Sequence, residues 1–241
     1  VEVRDAGILR LADPAFLPDA RGARFAFLSN PAFDALSFEV WVPLLTGGCC
    51  VVLADEDVQS PERLATVLRR ERVHTAFVTT ALFNAVVDTE PGCFSGLTDL
   101  LVGGEQLNAP LVRRWYRRNA GSRTRIHNAY GPTECTTFAL HHPIPRDFDA
   151  PVVPLGRTLP GTGTALVAPG TTRPAAPGEE AELLLSGAGL AAGYRNLPDG
   201  TARRFVTLPD DDGTATAYYR TGDLVRRSAD GHLTYVGRAD R

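Results

Sequence analysis

Residues 75–87 read TAFVTTALFNAVV, an apolar run followed by an amphipathic segment, and this alternation repeats along the first half of the chain. Runs of strand length alternate with segments whose apolar residues recur at helical spacing. The rhythm is typical of βαβ units and predicts an α/β fold with a parallel, helix-covered sheet. The predicted strands cover residues 24–28, 49–53, 75–78, 100–102 and 125–128, and the predicted helices cover residues 37–45, 60–72, 81–87 and 110–118.

The second half of the chain has a different character, because proline interrupts it repeatedly from Pro143 to Pro177. Its short apolar runs predict antiparallel strands in a β-rich, barrel-like part, whereas helix signals are poor. Residues 207–215 include three consecutive aspartates and a glycine, which predict a solvated loop or hairpin tip. We therefore expect an α/β subdomain at residues 1–142 and a β-rich subdomain at residues 143–241. The predicted strands of the second part cover residues 164–167, 181–185, 217–219 and 232–236.

Composition excludes several classes of protein. Of the 241 residues, 44% are hydrophobic and 22% are charged, which excludes disordered and fibrous chains. No apolar run approaches the roughly 18 residues of a membrane span, so no membrane partner is expected. The formal net charge of −3 gives no reason to expect a nucleic-acid partner. For the same reason we interpret the arginine-rich residues 113–118 as one solvated, amphipathic helix.

Cysteine, histidine and lysine narrow the chemistry further. The four cysteines form no Cys-x-x-Cys pair, so we expect buried, reduced thiols and a cytoplasmic location. His141 and His142 are adjacent, but no second pair of metal ligands lies at the spacing of a zinc site, so we do not expect a metal there. All 25 basic residues are arginine, which excludes a complete Walker loop because that loop needs lysine. The chain also contains no methionine, and we expect it to be a segment of a longer protein.

Residues 128–134 read NAYGPTE and place polar side chains directly after a predicted strand. In open α/β sheets, ligands bind at the carboxyl ends of the strands. Tyr130 could stack on a flat base, Thr133 could hold a phosphate, and Glu134 could hold Mg²⁺. An ordinary Gly-Pro turn with a surface glutamate explains the same residues, and the local pattern does not choose between the two interpretations.

Three other stretches could bind part of a nucleotide, and each has a simpler structural interpretation. Asp223 follows a Thr-Gly turn and could accept two hydrogen bonds from a vicinal diol, although an Asx-type turn is the alternative. Arg238 could reach a phosphate or a ribose, or it could belong to a frayed terminus. Residues 187–194 resemble a dinucleotide fingerprint, but no long helix follows them, so we discount that interpretation.

Taken together and in this order, the motifs resemble the adenylation domains of nonribosomal peptide synthetases, within the acyl-adenylate-forming superfamily. The resemblance covers essentially the whole chain, and the ordered set of motifs is far more specific than any one of them. The matching stretches are residues 33–39, 102–105, 128–134, 178–194, 219–224 and 237–240.

The resemblance implies a reaction. Such enzymes use ATP and Mg²⁺ to convert an amino acid into an aminoacyl-AMP, and then pass the acyl group to the phosphopantetheine thiol of a carrier protein. Some also need a small MbtH-like partner. The protein mainly positions the reactants and neutralises charge. By the resemblance, the catalytic residues would be Thr133, which would touch the α-phosphate, and Glu134, which would bind Mg²⁺. Tyr130 would stack on the adenine, and Gly104 and Asn128 would line it. Asp223 and Arg238 would hold the ribose with Tyr235 packed nearby, and Asp240 would be the hinge to a small C-terminal domain.

The resemblance also implies an amino-acid pocket. By the resemblance, Asp34 matches the residue that pairs with the α-ammonium group of the substrate. Such a pairing is physically reasonable, because a charge in an apolar pocket needs a partner. The remaining wall is apolar, which predicts a branched aliphatic amino acid, valine first and isoleucine or leucine next. Several of these side chains could instead simply be core. The predicted wall consists of Ala35, Phe38, Phe77, Leu101, Gly103, Ala129, Thr137 and Phe138.

Two departures from the family pattern affect the expected activity. The phosphate loop that should precede Val1 and the small domain that should follow Arg241 are not in this sequence, so we expect these residues alone to catalyse poorly. A tailoring domain inserted after Arg241 is one hypothesis. The rival functions are an acyl- or aryl-CoA ligase, which Asp34 disfavours, and a non-catalytic nucleotide-binding module, with a plain structural domain as the simplest alternative.

Overall fold

Strands and helices alternate along the chain in the computed structural model, which describes residues 1–209 and 213–239. A π-helical turn spans Ser37–Trp41, and a 3₁₀ turn spans Thr133–Cys135. In chain order the other elements are α1 (Asp5–Leu11), β1 (Arg24–Phe27), α2 (Val42–Leu45), β2 (Cys49–Val52), α3 (Asp55–Val58), α4 (Pro61–Arg70), β3 (Thr75–Thr79), α5 (Thr80–Thr89), β4 (Asp99–Gly103), α6 (Ala109–Arg118), β5 (Arg125–Tyr130), β6 (Leu140–Ile144), β7 (Arg157–Thr158), β8 (Thr162–Val167), β9 (Ala181–Gly187), α7 (Pro198–Arg204), β10 (Phe205–Pro209), β11 (Ala215–Arg227) and β12 (Leu233–Arg238).

The chain divides into two units. The α/β unit comprises Ala12–Ala129 and His142–Val153, and the β unit comprises Val1–Leu11, Tyr130–His141 and Pro154–Arg241. The sequence-based division at residue 142, which follows the change in proline content, stays a prediction. In neither unit do the described residues include a helix long and apolar enough to cross a membrane.

Five strands of the larger sheet lie in the α/β unit, in the order β2-β1-β3-β4-β5. Every pairing among these five strands is parallel, which confirms the predicted parallel sheet. Apolar residues of the strands and helices form one core, in which Trp115 of α6 and Leu64 of α4 are fully buried. Burial of these faces is the main favourable term in folding this unit.

Local sequence signals start three of the helices. The Ser60 side chain accepts a hydrogen bond from the Arg63 amide at 3.3 Å at the start of α4. Thr79 and Asn108 cap α5 and α6 in the same way. Such caps satisfy amide groups that have no partner inside the helix, which is why the sequence predicts these helix starts within one or two residues.

The buried carboxylate of Asp99 fixes β4 against β5. Asp99 is 1% exposed, and both of its carboxylate oxygens accept hydrogen bonds from Arg125 at 2.8 Å. Nε2 of His127 lies 2.8 Å from the same carboxylate. Burial by itself raises the pKa of Asp99, but the hydrogen bonds from His127 and Arg125 outweigh it and hold that pKa below its usual value. The three side chains therefore tie the first residues of the neighbouring strands β4 and β5 together.

Antiparallel strands form the β unit, which confirms the predicted β-rich, barrel-like part. The second sheet has the order β10-β11-β9-β8, and β12 pairs with the other half of β11. Its core contains buried Leu183, Leu185, Val225 and Leu233. The 13-residue β11 is central, because three other strands pair with it.

Several elements differ from the sequence-based prediction because tertiary pairing forms them. The sequence predicts a loop at residues 207–215, whereas Phe205–Pro209 is a strand held by β11. The predicted strand at residues 217–219 is only one part of β11. Helix α7 forms where apolar periodicity is poor, although Asp199 in its first turn and two arginines in its last suit the helix dipole. The sequence also does not predict α1, α3 or β6.

A buried carboxyl group anchors the π-helical turn of the α/β unit. Glu39 is fully buried, and its two oxygens accept hydrogen bonds from the hydroxyl of Ser29 at 2.9 Å and from the Ser29 amide at 3.2 Å. Burial raises the pKa of Glu39 to about 7, and the hydrogen bonds from Ser29 only partly oppose this. The folded state therefore favours the protonated form of this side chain.

Glu39 should make folding stability depend on pH. Because its folded pKa lies above that of an unfolded glutamate, its favourable contribution is complete below pH 4.5 and is lost as the pH rises towards 7. Between pH 5 and pH 8, we expect the unfolding free energy of the wild type, measured in urea, to fall by about 2 kcal/mol more than that of Glu39→Gln. Glu105→Gln, at an exposed carboxyl group, controls for the lost charge. Parallel profiles for Glu39→Gln and the wild type would contradict this assignment.

Gly131 lies where two stretches of backbone in the β unit come closest. A Cβ atom at this position would lie 2.5 Å from the carbonyl oxygen of Thr137 and 2.7 Å from the amide nitrogen of Ala139. The Ala139 amide also donates to the Tyr130 carbonyl at 2.7 Å, so the two stretches are held together at this point. No side chain can be accommodated at residue 131 without moving backbone.

Replacing Gly131 with alanine should therefore destabilise the β unit. We expect Gly131→Ala to lower the unfolding free energy by about 1–3 kcal/mol, as overpacking of a close contact generally does. Gly200→Ala is the matched control, because its Cβ would meet only ordinary contacts at 3.6 Å or more in α7. That control should be neutral or slightly stabilising. Equal melting curves for Gly131→Ala and the wild type would refute the prediction.

Candidate active site

Strands β3, β4 and β5 bring four of the predicted pocket residues together in register. Strand register pairs Gly103 with Ala129 and places Leu101 beside Phe77. A Cβ atom on Gly103 would lie 3.3 Å from the ring of Phe77 and would collide with the carbonyl of Ala129. Glycine is therefore the only residue that fits at position 103, whereas the amino-acid pocket at these strands stays a prediction. Leu101 itself is fully buried in β4.

The segment after β1 carries the predicted ammonium partner. Asp34 is half-buried, and its carbonyl accepts a hydrogen bond from the Ser37 amide at 2.8 Å, which starts the following helical turn. Ala35 is buried. Phe38 is fully buried between aromatic rings, with its centroid 5.5 Å from that of Phe25 and 6.3 Å from that of Phe16. Phe38 thus has a core role in the α/β unit, and its role in a pocket stays a prediction.

Two predicted base-lining residues have contrasting positions in the α/β unit. Asn128 is buried in β5, where its backbone pairs with Val102. Gly104 follows β4, is exposed and has a φ of +90°, a conformation that favours glycine. Thr80 also fixes this turn, because its hydroxyl donates to the carbonyl of Glu105 at 3.0 Å. The backbone beyond β4 is therefore held open to solvent.

A three-residue cluster in the β unit joins motifs that lie far apart in the sequence. The hydroxyl of Tyr130 donates to Oδ2 of Asp223 at 2.5 Å. Nη1 of Arg238 donates to Oδ1 of Asp223 at 3.1 Å and to the Thr221 carbonyl at 2.9 Å. Burial and the neighbouring carboxylate raise the pKa of Tyr130 well above its usual value, so the hydroxyl remains a donor. The structure thus unites three of the predicted nucleotide-binding residues.

Backbone geometry in β11 presents the Asp223 side chain. The strand register shifts between Arg220 and Leu224, and Gly222 has a φ of +72°. The Thr221 hydroxyl accepts from the Asp223 amide at 2.9 Å and donates to the Leu183 carbonyl at 2.7 Å. An irregular strand of this kind redirects a side chain that would otherwise follow the regular alternation.

Thr133 and Glu134 lie together in the 3₁₀ turn of the β unit. The hydroxyl of Tyr194 donates to Oε1 of Glu134 at 2.5 Å, and the Ala191 amide donates to the Glu134 carbonyl at 2.9 Å. Burial and the hydrogen bond to Glu134 raise the pKa of Tyr194. Tyr194 is not among the site residues predicted from the sequence, and it ends the stretch 187–194, whose likeness to a dinucleotide fingerprint is discounted above.

The remaining predicted residues of the β unit occupy less exposed positions. Thr137 and Phe138 are buried, and Thr137 has a φ of +64°. Tyr235 is partly buried and packs against the core of this unit. The predicted hinge residue, Asp240, lies outside the described residues.

The donor set of the 3₁₀ turn fits a magnesium ion bound mainly by a substrate. No group of three or more histidine, cysteine, aspartate or glutamate side chains able to hold a metal is found within residues 1–209 and 213–239. A carboxylate and a neighbouring hydroxyl are nevertheless present at Glu134 and Thr133. Mg²⁺ commonly uses one or two carboxylates together with substrate phosphates, rather than a cage built entirely from protein.

Comparison with known proteins identifies the family of the chain. Residues 8–195 match the family model described as AMP-binding enzyme. The chain is 41% identical over 243 residues to malpibaldin synthetase from Mortierella alpina and 35% identical over 245 residues to the non-canonical nonribosomal peptide synthetase hkm10 from Aspergillus hancockii. Both alignments cover 100% of this chain, which spans 4% and 24% of those proteins.

A solved structure extends the likeness to the fold. PA1221, an NRPS protein containing adenylation and PCP domains, superposes with a TM-score of 0.88 and 38% identity. The superposition covers 98% of this chain and 47% of that one. The family match spans well over half of the described chain, and the resemblance read from the ordered motifs is confirmed. The chain therefore belongs to the AMP-binding enzyme family, and within it to the adenylation domains of nonribosomal peptide synthetases.

Proposed function

We propose that this chain binds the nucleotide and the amino acid in an adenylation reaction, which forms an aminoacyl-AMP from ATP and releases pyrophosphate. The observation that carries the proposal is the cluster of Tyr130, Asp223 and Arg238. It joins two motifs that are 93 residues apart in the sequence around one partly exposed carboxylate. A ring face and a carboxylate side by side are the groups that can hold the base and the ribose of a nucleoside.

The nucleoside end of the site follows from this cluster. The ring of Tyr130 offers a flat face on which an adenine can stack. The carboxylate of Asp223 can accept hydrogen bonds from both hydroxyls of a ribose, and each such bond to a charged acceptor stabilises binding by about 1.5–3 kcal/mol. Arg238 holds that carboxylate in place and can itself contact the ribose. Gly104 and Asn128 are proposed to line the base, with Tyr235 packed nearby.

The phosphate end of the site is proposed to lie at Thr133 and Glu134. When bound there, Mg²⁺ would neutralise phosphate charge and polarise the phosphorus towards attack. The Glu134 carboxylate can supply an oxygen ligand, and Tyr194 orients that carboxylate through its hydroxyl. The Thr133 hydroxyl can donate to an oxygen of the α-phosphate, where the substrate carboxylate attacks.

The amino-acid end is proposed to combine Asp34 with an apolar wall. An ammonium group bound out of water needs a counter-charge, and Asp34 supplies one. Phe77, Gly103 and Ala129 form an uncharged surface at the strand ends, which suits an aliphatic side chain. We propose a branched aliphatic substrate, with valine ahead of isoleucine and leucine. The other residues proposed for this wall are Ala35, Phe38, Leu101, Thr137 and Phe138.

The acyl group is proposed to pass to the phosphopantetheine thiol of a carrier protein. PA1221 contains adenylation and PCP domains, and that pairing in a similar protein supports the proposal. An MbtH-like partner is proposed only because some members of the family need one. The four cysteines are free thiols, which agrees with the proposed reducing, cytoplasmic location.

Amino-acid-dependent exchange between pyrophosphate and ATP tests the substrate. In the full-length gene product that contains this chain, we expect valine to support the fastest exchange among valine, isoleucine, leucine, phenylalanine, aspartate and benzoate. Asp34→Asn should lower kcat/KM for valine about 100-fold, which corresponds to roughly 3 kcal/mol for a charged hydrogen bond. Asp149→Asn, at an exposed aspartate of the α/β unit, is the control. Exchange with benzoate alone would show an aryl-acid ligase instead.

Binding of AMP tests the nucleoside cluster separately from catalysis. Asp223→Asn should raise the Kd for AMP about tenfold, measured by calorimetry, because the amide cannot accept two charged hydrogen bonds from the ribose. Asp230→Asn, at the exposed turn before β12, should bind AMP as the wild type does. Equal affinity in Asp223→Asn and the wild type would remove Asp223 from the nucleotide site.

A further inference from the structure

Arg10 places a buried guanidinium group against the segment Thr133–Phe138 of the β unit. Its Nη2 donates to the carbonyl oxygens of Phe138 at 2.6 Å and Thr136 at 3.3 Å, and also to that of Cys135. Its Nη1 donates to the hydroxyl of Thr162 at 3.1 Å. One side chain from α1 therefore binds three carbonyl groups of a segment that lies 125–128 residues further along the chain.

This arrangement is unusual for a buried charge. Arg10 is 7% exposed, and no ion pair between it and a carboxylate is found in the described parts of the chain. Burial lowers the pKa of Arg10 to about 10, so the guanidinium keeps its proton at neutral pH. Desolvating a charge is costly unless hydrogen bonds replace the lost water. Here carbonyl oxygens and one hydroxyl supply those hydrogen bonds, so the guanidinium and the segment 133–138 satisfy each other.

The segment that Arg10 holds has a strained backbone. Thr136 and Thr137 have φ angles of +53° and +64°, which are unfavourable for β-branched residues. Conformations of this kind persist only where the surrounding structure determines them. Here the turn directs successive carbonyls towards one point, and the guanidinium occupies that point. The Thr136 carbonyl also accepts a hydrogen bond from the Phe138 amide at 2.8 Å, whereas Arg10 donates to the carbonyls of Cys135 and Phe138 as well.

Two glycines make room for the contact. A Cβ atom on Gly7, one turn before Arg10 in α1, would lie 3.0 Å from Cβ of Thr136 and closer still to its hydroxyl. A Cβ atom on Gly189 would lie 2.5 Å from Cζ of Arg10. The Gly189 carbonyl accepts a hydrogen bond from the Thr136 hydroxyl at 2.8 Å. Two contacts therefore hold the segment. Helix α1 packs against it through Arg10 and Gly7, and the turn after β9 accepts a hydrogen bond from it through Gly189.

We propose that Arg10 is a positioning residue for adenylation, which fixes the segment Thr133–Phe138 and thereby the side chains of Thr133 and Glu134. This inference rests on the proposed function, because it assigns those two side chains to the phosphate and Mg²⁺ end of the substrate. Tyr130, Asp223 and Arg238 lie outside the segment. Loss of Arg10 should therefore affect the chemical step and the use of Mg²⁺, and it should leave nucleoside binding almost unchanged.

Four variants of the full-length gene product test the proposal: Arg10→Met, Arg10→Lys, Gly189→Ala and the control Gly121→Ala. We expect Arg10→Met to lower kcat for pyrophosphate exchange at least tenfold and to raise the Mg²⁺ concentration for half-maximal rate at least fivefold. Its Kd for AMP should stay within twofold of the wild type. Arg10→Lys should recover part of the rate, because lysine keeps the charge and three donors but not the planar fork.

Gly189→Ala moves the guanidinium without removing it, so it should shift kcat and Mg²⁺ dependence in the same direction as Arg10→Met. Gly121→Ala, whose Cβ would meet nothing within 4 Å, should behave as the wild type. Thermal melting of every variant shows whether it is folded at the assay temperature. If Arg10→Met does not fold, Arg10→Lys and Gly189→Ala supply the same comparison.

Two results would overturn the inference. One is a folded Arg10→Met or Gly189→Ala protein with the kcat and Mg²⁺ dependence of the wild type. The other is a loss of rate that matches the unfolded fraction in each variant, with AMP binding lost in parallel, because that describes a purely structural residue. A wild type without amino-acid-dependent exchange would instead overturn the proposed function, and this inference with it.

Discussion

The register between β4 and β5 is the constraint on which the α/β unit depends. A one-residue slip in a parallel pair would turn every side chain of one strand to the opposite face. Asp99 prevents such a slip, because its buried carboxylate is satisfied only when Arg125 and His127 of β5 lie beside it. The same register pairs Gly103 with Ala129 at the other end of these strands, where we propose the amino-acid pocket.

In the β unit, the corresponding constraint is on the carboxylate of Asp223, which we propose binds a ribose. Both oxygens of Asp223 already accept hydrogen bonds, one from Tyr130 and one from Arg238. Such preorganisation lowers the entropic cost of ordering a site when a ligand binds. Glu134 is treated in a similar way by Tyr194. The same unit therefore fixes two acidic side chains through tyrosine hydroxyls, whose pKa values are raised by burial and so keep their protons.

Much of the fold follows from the sequence because its causes are local. Ser60, Thr79 and Asn108 cap the helices that follow them. The continuous apolar runs of β3 and β4 indicate strands that are buried on both faces. The failures have a common cause. The strand β10 and the full length of β11 form because other strands pair with them, and the neighbouring residues in the sequence do not show that pairing. Phe38 shows the same limit, since its burial between two aromatic rings depends on distant chain.

The sequence by itself determined which residue types stand after which strands, and so it identified the family, the parallel sheet and the candidates Tyr130, Glu134 and Asp223. Periodicity, capping and turn chemistry are properties of neighbouring residues, and they survive in the linear order. Only the tertiary structure decided the partners. Tyr130 meets Asp223 across 93 residues, Tyr194 meets Glu134 across 60, and Arg10 meets the carbonyl of Phe138 across 128. Such pairs depend on how whole strands pack, because the hydrogen bond forms only after the chain between its ends has found its place.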